Sequence, residues 1–351
     1  MSLKEAMLYD KLSDNQVKCN LCGRRCLIRE DALGFCRVRK NASGKLYSLN
    51  YAKLCSANAD PIGKKPLSHF HPGSSVMSIA TVGCNLRCMF CDNWSISQEK
   101  EISGRNFPPE EIVRLAKNYG CQGISYTYTE PTIFFEYAFD TAVLAHEEGL
   151  FNTFVTNGYM TPEAVKMISP HLDAATVDFK GGGDPEFYKK FSAVPSVEPI
   201  YESLKEMKRH NIHVEITNLI VPDIGDSMQR IHELAAWIKE NLGVDTPLHL
   251  LRFHPNYKLD DIRSTELKKL EEAYETARGI GLNYVYLGNV PSHRYENTYC
   301  PNCQALLVRR FSFDIIKWNI TDNTLCPSCG HKIPIVGNFH QSGFSLPYPI
   351  I

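Results

Sequence analysis

Through the middle of the chain, short runs of β-branched, aromatic and aliphatic residues alternate with stretches whose apolar positions recur at helical spacing. The strand-like runs are Val76 to Ala80, Gly123 to Tyr128, Thr153 to Thr156, Ala175 to Phe179, His213 to Ile220, Leu248 to Phe253 and Tyr284 to Leu287. Between them lie helix-like segments at Pro108 to Tyr119, Ile133 to Gly149, Pro162 to Ser169, Val197 to His210, Ser227 to Leu242 and Ser264 to Gly281. The first of these opens Pro-Pro-Glu-Glu, a helix start signal. Six or seven strand-helix units predict an α/β fold built as an open or partial parallel barrel, of (β/α)6 type. Parallel barrels carry chemistry at the C-terminal ends of their strands. Cys84, Glu130, Asn157, Lys180, Asn218, His254 and Asn289 fall at or near such ends, so one rim is expected to hold all of them.

The flanks have a different pattern. Residues 1–74 carry four cysteines and end in the turn-rich connector Lys64 to Gly73, and residues 293–351 carry four more. Three regions are therefore expected: an N-terminal four-cysteine segment over 1–74, the partial barrel over 75–292, and a C-terminal four-cysteine segment over 293–351. Charge adds little, since 38 basic residues face 39 acidic ones and nothing in that balance predicts a nucleic-acid or membrane surface. The opening stretch mixes Lys4, Glu5, Asp10, Lys11 and Asp14 among its apolar residues, unlike a secretory signal. With no long apolar run elsewhere, a soluble, cytoplasmic protein is expected.

Cysteine usage changes the picture more. Eleven of the 13 cysteines fall into three tight groups with metal-ligand spacing, which suits a reducing compartment. Cys55 and Cys121 stand apart, and a lone cysteine such as Cys121 is expected to be a buried small hydrophobe. The central group, Cys84, Cys88 and Cys91, has spacing C-x3-C-x2-C. A four-iron cluster normally takes four thiolates, so a loop supplying three leaves one iron open to a substrate molecule. Zinc held by three cysteines and a water or distant histidine is the competing reading, although the spacing lacks the paired knuckles of structural zinc.

Cys19, Cys22, Cys26 and Cys36 follow C-x2-C-x3-C-x9-C. Four ligands fill either a zinc site or a second iron-sulfur cluster; the tight first knuckle favours zinc, and the spacing leaves the cluster open. Cys300, Cys303, Cys326 and Cys329 form two C-x2-C knuckles, the pattern of a zinc ribbon. Arg309, Arg310 and Lys317 beside it make a candidate anionic contact.

The central loop, with Phe90 before its third cysteine, resembles the signature of the radical S-adenosylmethionine (radical SAM) enzymes. The resemblance implies that the open iron binds the amino and carboxylate groups of S-adenosylmethionine and that the reduced cluster splits it to a 5'-deoxyadenosyl radical, which removes a substrate hydrogen. Thr127 to Thr132 lies where the family carries Gly-Gly-Glu-Pro, with Tyr128 and Thr129 in place of glycines, and implies that Glu130 faces the amino group. By the same resemblance Thr156 and Asn157 meet the ribose or carboxylate, Lys180 of the Asp178-Phe179-Lys180 stretch faces the carboxylate, Asn289 meets adenine, and Arg252 or His254 meets substrate. No side chain stands out as a catalytic acid or base.

The whole arrangement resembles the radical SAM protein of the AmmeMemoRadiSam system, whose relatives include the pyruvate formate-lyase activating enzymes. Supporting stretches are Asp60 to Leu67 and Cys91 to Ser97. The resemblance implies an electron donor such as flavodoxin or ferredoxin, and Memo-like and AMMECR-like partners. The substrate stays open among a glycine in another protein, a nucleic acid and a small metabolite. The alternative of a different class is a non-catalytic, zinc-stabilised RNA- or protein-binding module.

Overall fold

Seven strands run parallel and in sequence order across one sheet: β1 Ser75–Ala80, β2 Gly123–Tyr126, β3 Phe151–Thr156, β4 Ala174–Lys180, β5 His213–Ile220, β6 Leu248–Arg252 and β7 Val285–Gly288. This computed structural model describes residues 3–341 and the short strand Tyr348–Pro349. The outermost residues of the two terminal regions read from the sequence (1, 2, 342–347, 350 and 351) lie outside the described residues. The central strands pair in step: Gly123 faces Val76, Ala174 faces Thr153, and Ala174 faces His213 on its other side. All four residues of β2 are buried, as expected of a parallel strand covered on both faces. Among the described residues no pairing joins β7 to the opposite edge, so the sheet is an open one.

Besides a single turn at Trp94–Ser97, the helices are α1 Pro109–Asn118, α2 Phe135–Glu147, α3 Pro162–Ile168, α4 Pro185–Ser192, α5 Glu198–Arg209, α6 Met228–Asn241 and α7 Leu267–Ile280. Their starts are written locally. Thr161 accepts from the Ala164 amide ahead of α3, Ser227 from the Arg230 amide ahead of α6, and Pro occupies the first turn of α1 and α3. Gly281, at φ 102°, closes α7 in the left-handed conformation that a side chain would strain.

Two elements escape the hydrophobic pattern. The strand Ser56–Pro61 pairs antiparallel with β1 and carries Tyr348–Pro349 on its outer side. Its sequence, Ser-Ala-Asn-Ala-Asp-Pro, alternates polar residues only with small alanines and a proline, and Asn58 and Asp60 meet the Tyr128 hydroxyl. Helix α4, eight residues long, does not stand out in the sequence, although Asp184 caps it by accepting from the Glu186 and Phe187 amides.

The connector before β1 crosses the inner face near the N-terminal ends of the strands. Glu215 of β5, fully buried, accepts from the Ser68 amide (3.0 Å), the His69 amide (2.7 Å), His213 (3.1 Å) and His249 (2.7 Å). A buried carboxylate is stable there only with such partners, and these hold Glu215 well below the usual carboxylate range against the effect of burial. His69 completes the seal through its ring, 2.7 Å from the Tyr286 hydroxyl.

Residues 298–318 form a three-stranded antiparallel sheet, Thr298–Tyr299, Leu306–Phe311 and Asp314–Trp318. Its core of Cys300, Leu307, Val308, Ile320, Cys326 and Ile333 packs against Tyr284 and Tyr286 of the barrel wall. Arg310, expected to offer an anionic contact, is instead turned inward. It donates to the Ser68 and Glu296 carbonyls and the Thr298 hydroxyl and lies 5.5 Å over the Tyr286 ring. The half-buried cation is used to seat the ribbon-like segment on the barrel, its NH groups satisfied by carbonyls and a hydroxyl there. The N-terminal segment, by contrast, shares the main core: Val17, Cys19, Leu21, Val38 and Leu46 pack in one cluster with the barrel.

Candidate active site

The central cysteine loop leaves β1 and is held at three points. The Arg87 and Met89 amides donate to the Ser192 and Phe191 carbonyls at the end of α4, at 2.9 and 2.8 Å. The Gly83 amide donates to the Ile96 carbonyl, and the Met89 carbonyl accepts from the Lys258 amide of the loop after β6. Gly83 sits at φ 103°, and a Cβ there would stand 2.8 Å from Val38 and 3.2 Å from the Cys36 carbonyl. The N-terminal segment thus lies directly against the loop, and glycine is what allows that approach.

The three thiols meet polar neighbours. Cys84 accepts from the Leu86 amide at 3.4 Å, Cys88 lies 3.3 Å from the Ser192 hydroxyl, and Cys91 lies 3.2 Å from the Ser97 hydroxyl. Burial pushes all three thiols up, Cys88 to about 11, with Glu130 adding to the rise at Cys84 and Lys180 opposing it at Cys88. Without a metal such thiols stay protonated and unreactive. Three soft donors in one loop, with an amide and two hydroxyls placed beside their sulfurs, fit an iron-sulfur cluster.

Glu130, 1 % exposed, ties the ends of β2 and β3 to this loop. One oxygen accepts from the Thr132 amide (3.0 Å), the Thr132 hydroxyl (2.5 Å) and the Thr156 hydroxyl (2.7 Å). The other accepts from the Asn157 amide at 2.8 Å. The Asn157 side chain then donates to Asn85 at 2.8 Å and lies 3.8 Å from the Cys84 sulfur. Burial raises the Glu130 carboxyl, and the four donors work against that rise.

Tyr128 stands where the resembling family has glycine, and its φ of 63° keeps the left-handed backbone that glycine would supply. Its hydroxyl anchors that shape by donating to Asp60 and meeting Asn58 at 3.0 Å, while its carbonyl accepts from Asn93 at 2.8 Å. Asp60 in turn is paired with the buried Lys65 at 2.6 Å.

On β4, Asp178 and Lys180 share the inner face at i and i+2 and pair at 2.6 Å, with the Thr217 hydroxyl donating to Asp178 at 2.7 Å. Burial works against the Lys180 ammonium, but Asp178, Tyr188 and Cys88 outweigh it and raise its affinity for the proton. Lys180 is therefore a permanent cation beside the thiols. Gly181, Gly182 and Gly183 follow with φ of 56°, 66° and 76°, a left-handed turn that no run of ordinary residues holds. It places the Gly182 amide 2.8 Å from Asn218.

Not every rim residue joins the loop. His254 is exposed and meets the Ser264 hydroxyl at 3.1 Å, Asn289 is exposed and donates to the Arg252 carbonyl at 3.1 Å, and Arg252 donates to the Thr265 carbonyl at 2.9 Å. The Asn289 bond ties the loop after β7 to the end of β6, and the other two close the loop after β6 on itself. The contact back to the cysteine loop comes from their neighbours: Asn256 donates to Asp92 at 2.8 Å, and Tyr257 stacks on Trp94 with ring centres 5.1 Å apart.

Sequence reasoning missed Asn85, Arg24 and Arg87. Arg24 donates to the Asn85 carbonyl at 2.6 Å, and Arg87 donates to the Cys84 carbonyl at 2.8 Å and to the Phe35 carbonyl. Both guanidinium groups sit over the Phe35 ring, at 3.4 and 4.4 Å. Little in the local sequence marks these residues, since Arg24 reaches Asn85 61 positions away, Arg87 reaches Phe35 52 positions away, and Asn85 is met by Asn157 72 positions away.

Near the C-terminus the thiol pairs Cys300 with Cys329 and Cys303 with Cys326 are each 3.6 Å apart, and all four sulfurs lie within 4.8 Å of one another. Bonds of about 2.3 Å to one tetrahedral ion put sulfurs roughly 3.8 Å apart, so this set is shaped for a single metal ion. Cys121 is buried, as a lone small hydrophobe should be. None of the described helices is long and apolar enough to cross a membrane.

The radical SAM superfamily profile matches residues 78–238. The uncharacterized protein MJ0808 of Methanocaldococcus jannaschii is 48 % identical over 95 % of this chain and 100 % of its own length. The pyruvate formate-lyase-activating enzyme of Clostridium pasteurianum is 26 % identical over 53 % of this chain and 83 % of its own. A solved radical SAM methyltransferase from Sphaerobacter thermophilus overlays 63 % of this chain and 70 % of its own, with TM-score 0.48 and 16 % identity. Residues 78–238 of this chain are a radical SAM domain, and the chain is an enzyme. The family brings a four-iron cluster, S-adenosylmethionine and the need for an electron donor.

Proposed function

We propose that Cys84, Cys88 and Cys91 hold a four-iron cluster at which this enzyme cleaves S-adenosylmethionine reductively and takes a hydrogen from its substrate, in the manner of the activating enzymes of glycyl-radical proteins. The observation that carries the reading is the convergence on one loop of three thiols, Cys88 buried and Cys84 and Cys91 half-buried, the Glu130-Asn157-Asn85 chain of hydrogen bonds, and the Lys180 cation. When bound, the cluster supplies the electron that breaks a sulfur-carbon bond of S-adenosylmethionine to give the 5'-deoxyadenosyl radical. The chain's own residues bind and orient. Lys180 faces the carboxylate of the cofactor as a charge-assisted partner, Glu130 with Thr156 and Asn157 sets the rim facing its amino and ribose groups, and Asn289 stands toward adenine. Arg252 and His254 belong to the substrate side of the same rim.

A protein substrate is the favoured class, because relatives include activating enzymes; of the three cations beside the ribbon-like segment, Arg310 is engaged with the barrel while Arg309 and Lys317 stay exposed. Residues 75–292 carry the chemistry on this reading, flanked by metal-stabilised segments at 1–74 and 293–351, the latter holding zinc. Membership of the AmmeMemoRadiSam system, with Memo-like and AMMECR-like partners and a flavodoxin- or ferredoxin-type donor, completes the proposal.

The test is metal and sulfide content of anaerobically purified protein, with electron paramagnetic resonance (EPR) of the reduced sample before and after S-adenosylmethionine. The expected result is a spectrum that shifts with the cofactor and cleavage that disappears in Cys84→Ala. Zinc alone and no spectral change would instead mean a binding module.

A further inference from the structure

The N-terminal thiols are not arranged like the C-terminal ones. Among the described residues, the C-terminal set is the only group of three or more potential ligands whose donor atoms all lie within 4.8 Å of one another. No three of Cys19, Cys22, Cys26 and Cys36 meet that spacing, and neither do Cys84, Cys88 and Cys91. Yet the four are gathered by the fold. The Cys19 amide donates to the Cys26 carbonyl at 2.9 Å, Cys22 bridges to Met160 beside β3, and the Cys36 carbonyl lies against Gly83. A single ion draws its thiolates close, whereas a cubane core interposes irons and sulfides and holds them wider. Neither the N-terminal set nor the central loop is drawn as close together as the four sulfurs of the ribbon-like segment.

The surroundings agree. Cys300 and Cys326 belong to a small separate core, and Cys303 and Cys329 are exposed. Cys19, Cys26 and Cys36 pack with Cys84, Cys88 and Cys91 in the main core. Cys19 also accepts from the Arg39 guanidinium at 3.2 Å, and Arg39 is 1 % exposed and paired with buried Glu136. A buried cation on a ligand sulfur stabilises added negative charge, which is how proteins tune iron-sulfur potentials.

Between the two sets the distance is short. Cys36 touches Gly83, and Cys84 is one residue further, about 3.8 Å along the backbone. Two hydrogen-bonded bridges run across this gap. One goes from Arg24, two residues after Cys22, to the Asn85 carbonyl; the other goes from the Phe35 carbonyl, next to Cys36, through Arg87 to the Cys84 carbonyl.

We infer that Cys19, Cys22, Cys26 and Cys36 hold a second iron-sulfur cluster, not zinc, and that the reducing electron reaches the central cluster through it. The inference rests on the central cluster proposed above. In the transfer one electron leaves the N-terminal cluster and arrives at the central one; no bond forms or breaks and no proton moves. A low-potential one-electron donor protein of the flavodoxin or ferredoxin class replaces the electron.

The decisive sample is full-length protein with Cys84, Cys88 and Cys91 all changed to Ala, reconstituted anaerobically with iron and sulfide. Retention of about four irons per chain, with a reduced-state EPR signal that S-adenosylmethionine does not move, supports the inference. No iron and about two zincs per chain overturn it, while a wild-type signal that still shifts with S-adenosylmethionine would leave the central reading standing. A second variant, Cys22→Ser with Cys26→Ser, reads the electron route. The expected result is loss of cleavage driven by reduced flavodoxin with cleavage driven by dithionite retained; equal rates with the two reductants overturn the relay.

Discussion

Replacing Glu130 by Gln changes one oxygen to an amide nitrogen in the tie that joins β2, β3 and the cysteine loop. The retained oxygen still accepts from Thr132 and Thr156, but the new NH2 group faces the Asn157 amide, which has been donating at 2.8 Å. A hydrogen bond to a charged group is worth about 1.5–3 kcal/mol, and the orphaned Asn157 amide adds to its loss. Removing a buried charge offsets part of this, so a net cost of roughly 3 kcal/mol is expected. With an unfolding entropy of about 2.1 cal/mol/K per residue over 351 residues, that cost lowers Tm by about 4 °C. The second consequence is functional. Asn157 holds Asn85 beside Cys84, so the variant binds S-adenosylmethionine more weakly while keeping its cluster. Anaerobic thermal unfolding followed by circular dichroism gives the first number, and titration of the EPR shift with S-adenosylmethionine gives the second. A Tm within one degree of wild type together with an unchanged titration midpoint would refute Glu130 as the tie.

Three further outcomes are expected. Burial pushes the His69 imidazole down to about 3 from an ordinary value near 6.5, so the unfolded chain binds a proton that the folded one refuses. Stability is therefore full above pH 6.5 and falls as the pH drops, by about 2 kcal/mol at pH 5; chemical denaturation at pH 7 and pH 5 measures it, and His69→Gln should flatten the difference. Tyr128→Phe removes the hydroxyl that anchors a left-handed backbone to Asp60, at a cost of about 1.5–3 kcal/mol, visible as a lower denaturation midpoint; an unchanged midpoint would show that the anchor is idle. Cys303→Ala should release about one zinc per chain and leave the S-adenosylmethionine-dependent EPR shift intact, since the ribbon-like core is separate from that of the cysteine loop.

The alternation of apolar runs and amphipathic stretches was sufficient for the parallel sheet, because each strand buries both faces and each helix one. Strand ends were legible to within one or two residues: His213 to Ile220 matches β5, and Leu248 to Phe253 overruns β6 by one residue. Local chemistry also announced the three cysteine groups, whose ligands are near neighbours in the chain. Ser56–Pro61 was invisible because its only apolar positions are Ala57, Ala59 and Pro61, and its pairing with β1 and contacts with Tyr128 are made by distant segments. Arg310 looked like a surface cation and became a half-buried clamp, since the Ser68 carbonyl and the Tyr286 ring that receive it come from distant segments.

By itself, then, the order of residues determined which elements form and which thiols group together, because helix periods, caps and metal knuckles are encoded over a few positions. Only tertiary packing decided how far apart those thiols stand, and that Arg24, Phe35 and Arg87 join the N-terminal set to the Cys84 loop. Those distances depend on backbone approaches such as Cys36 to Gly83, between residues 47 positions apart, which no local pattern records.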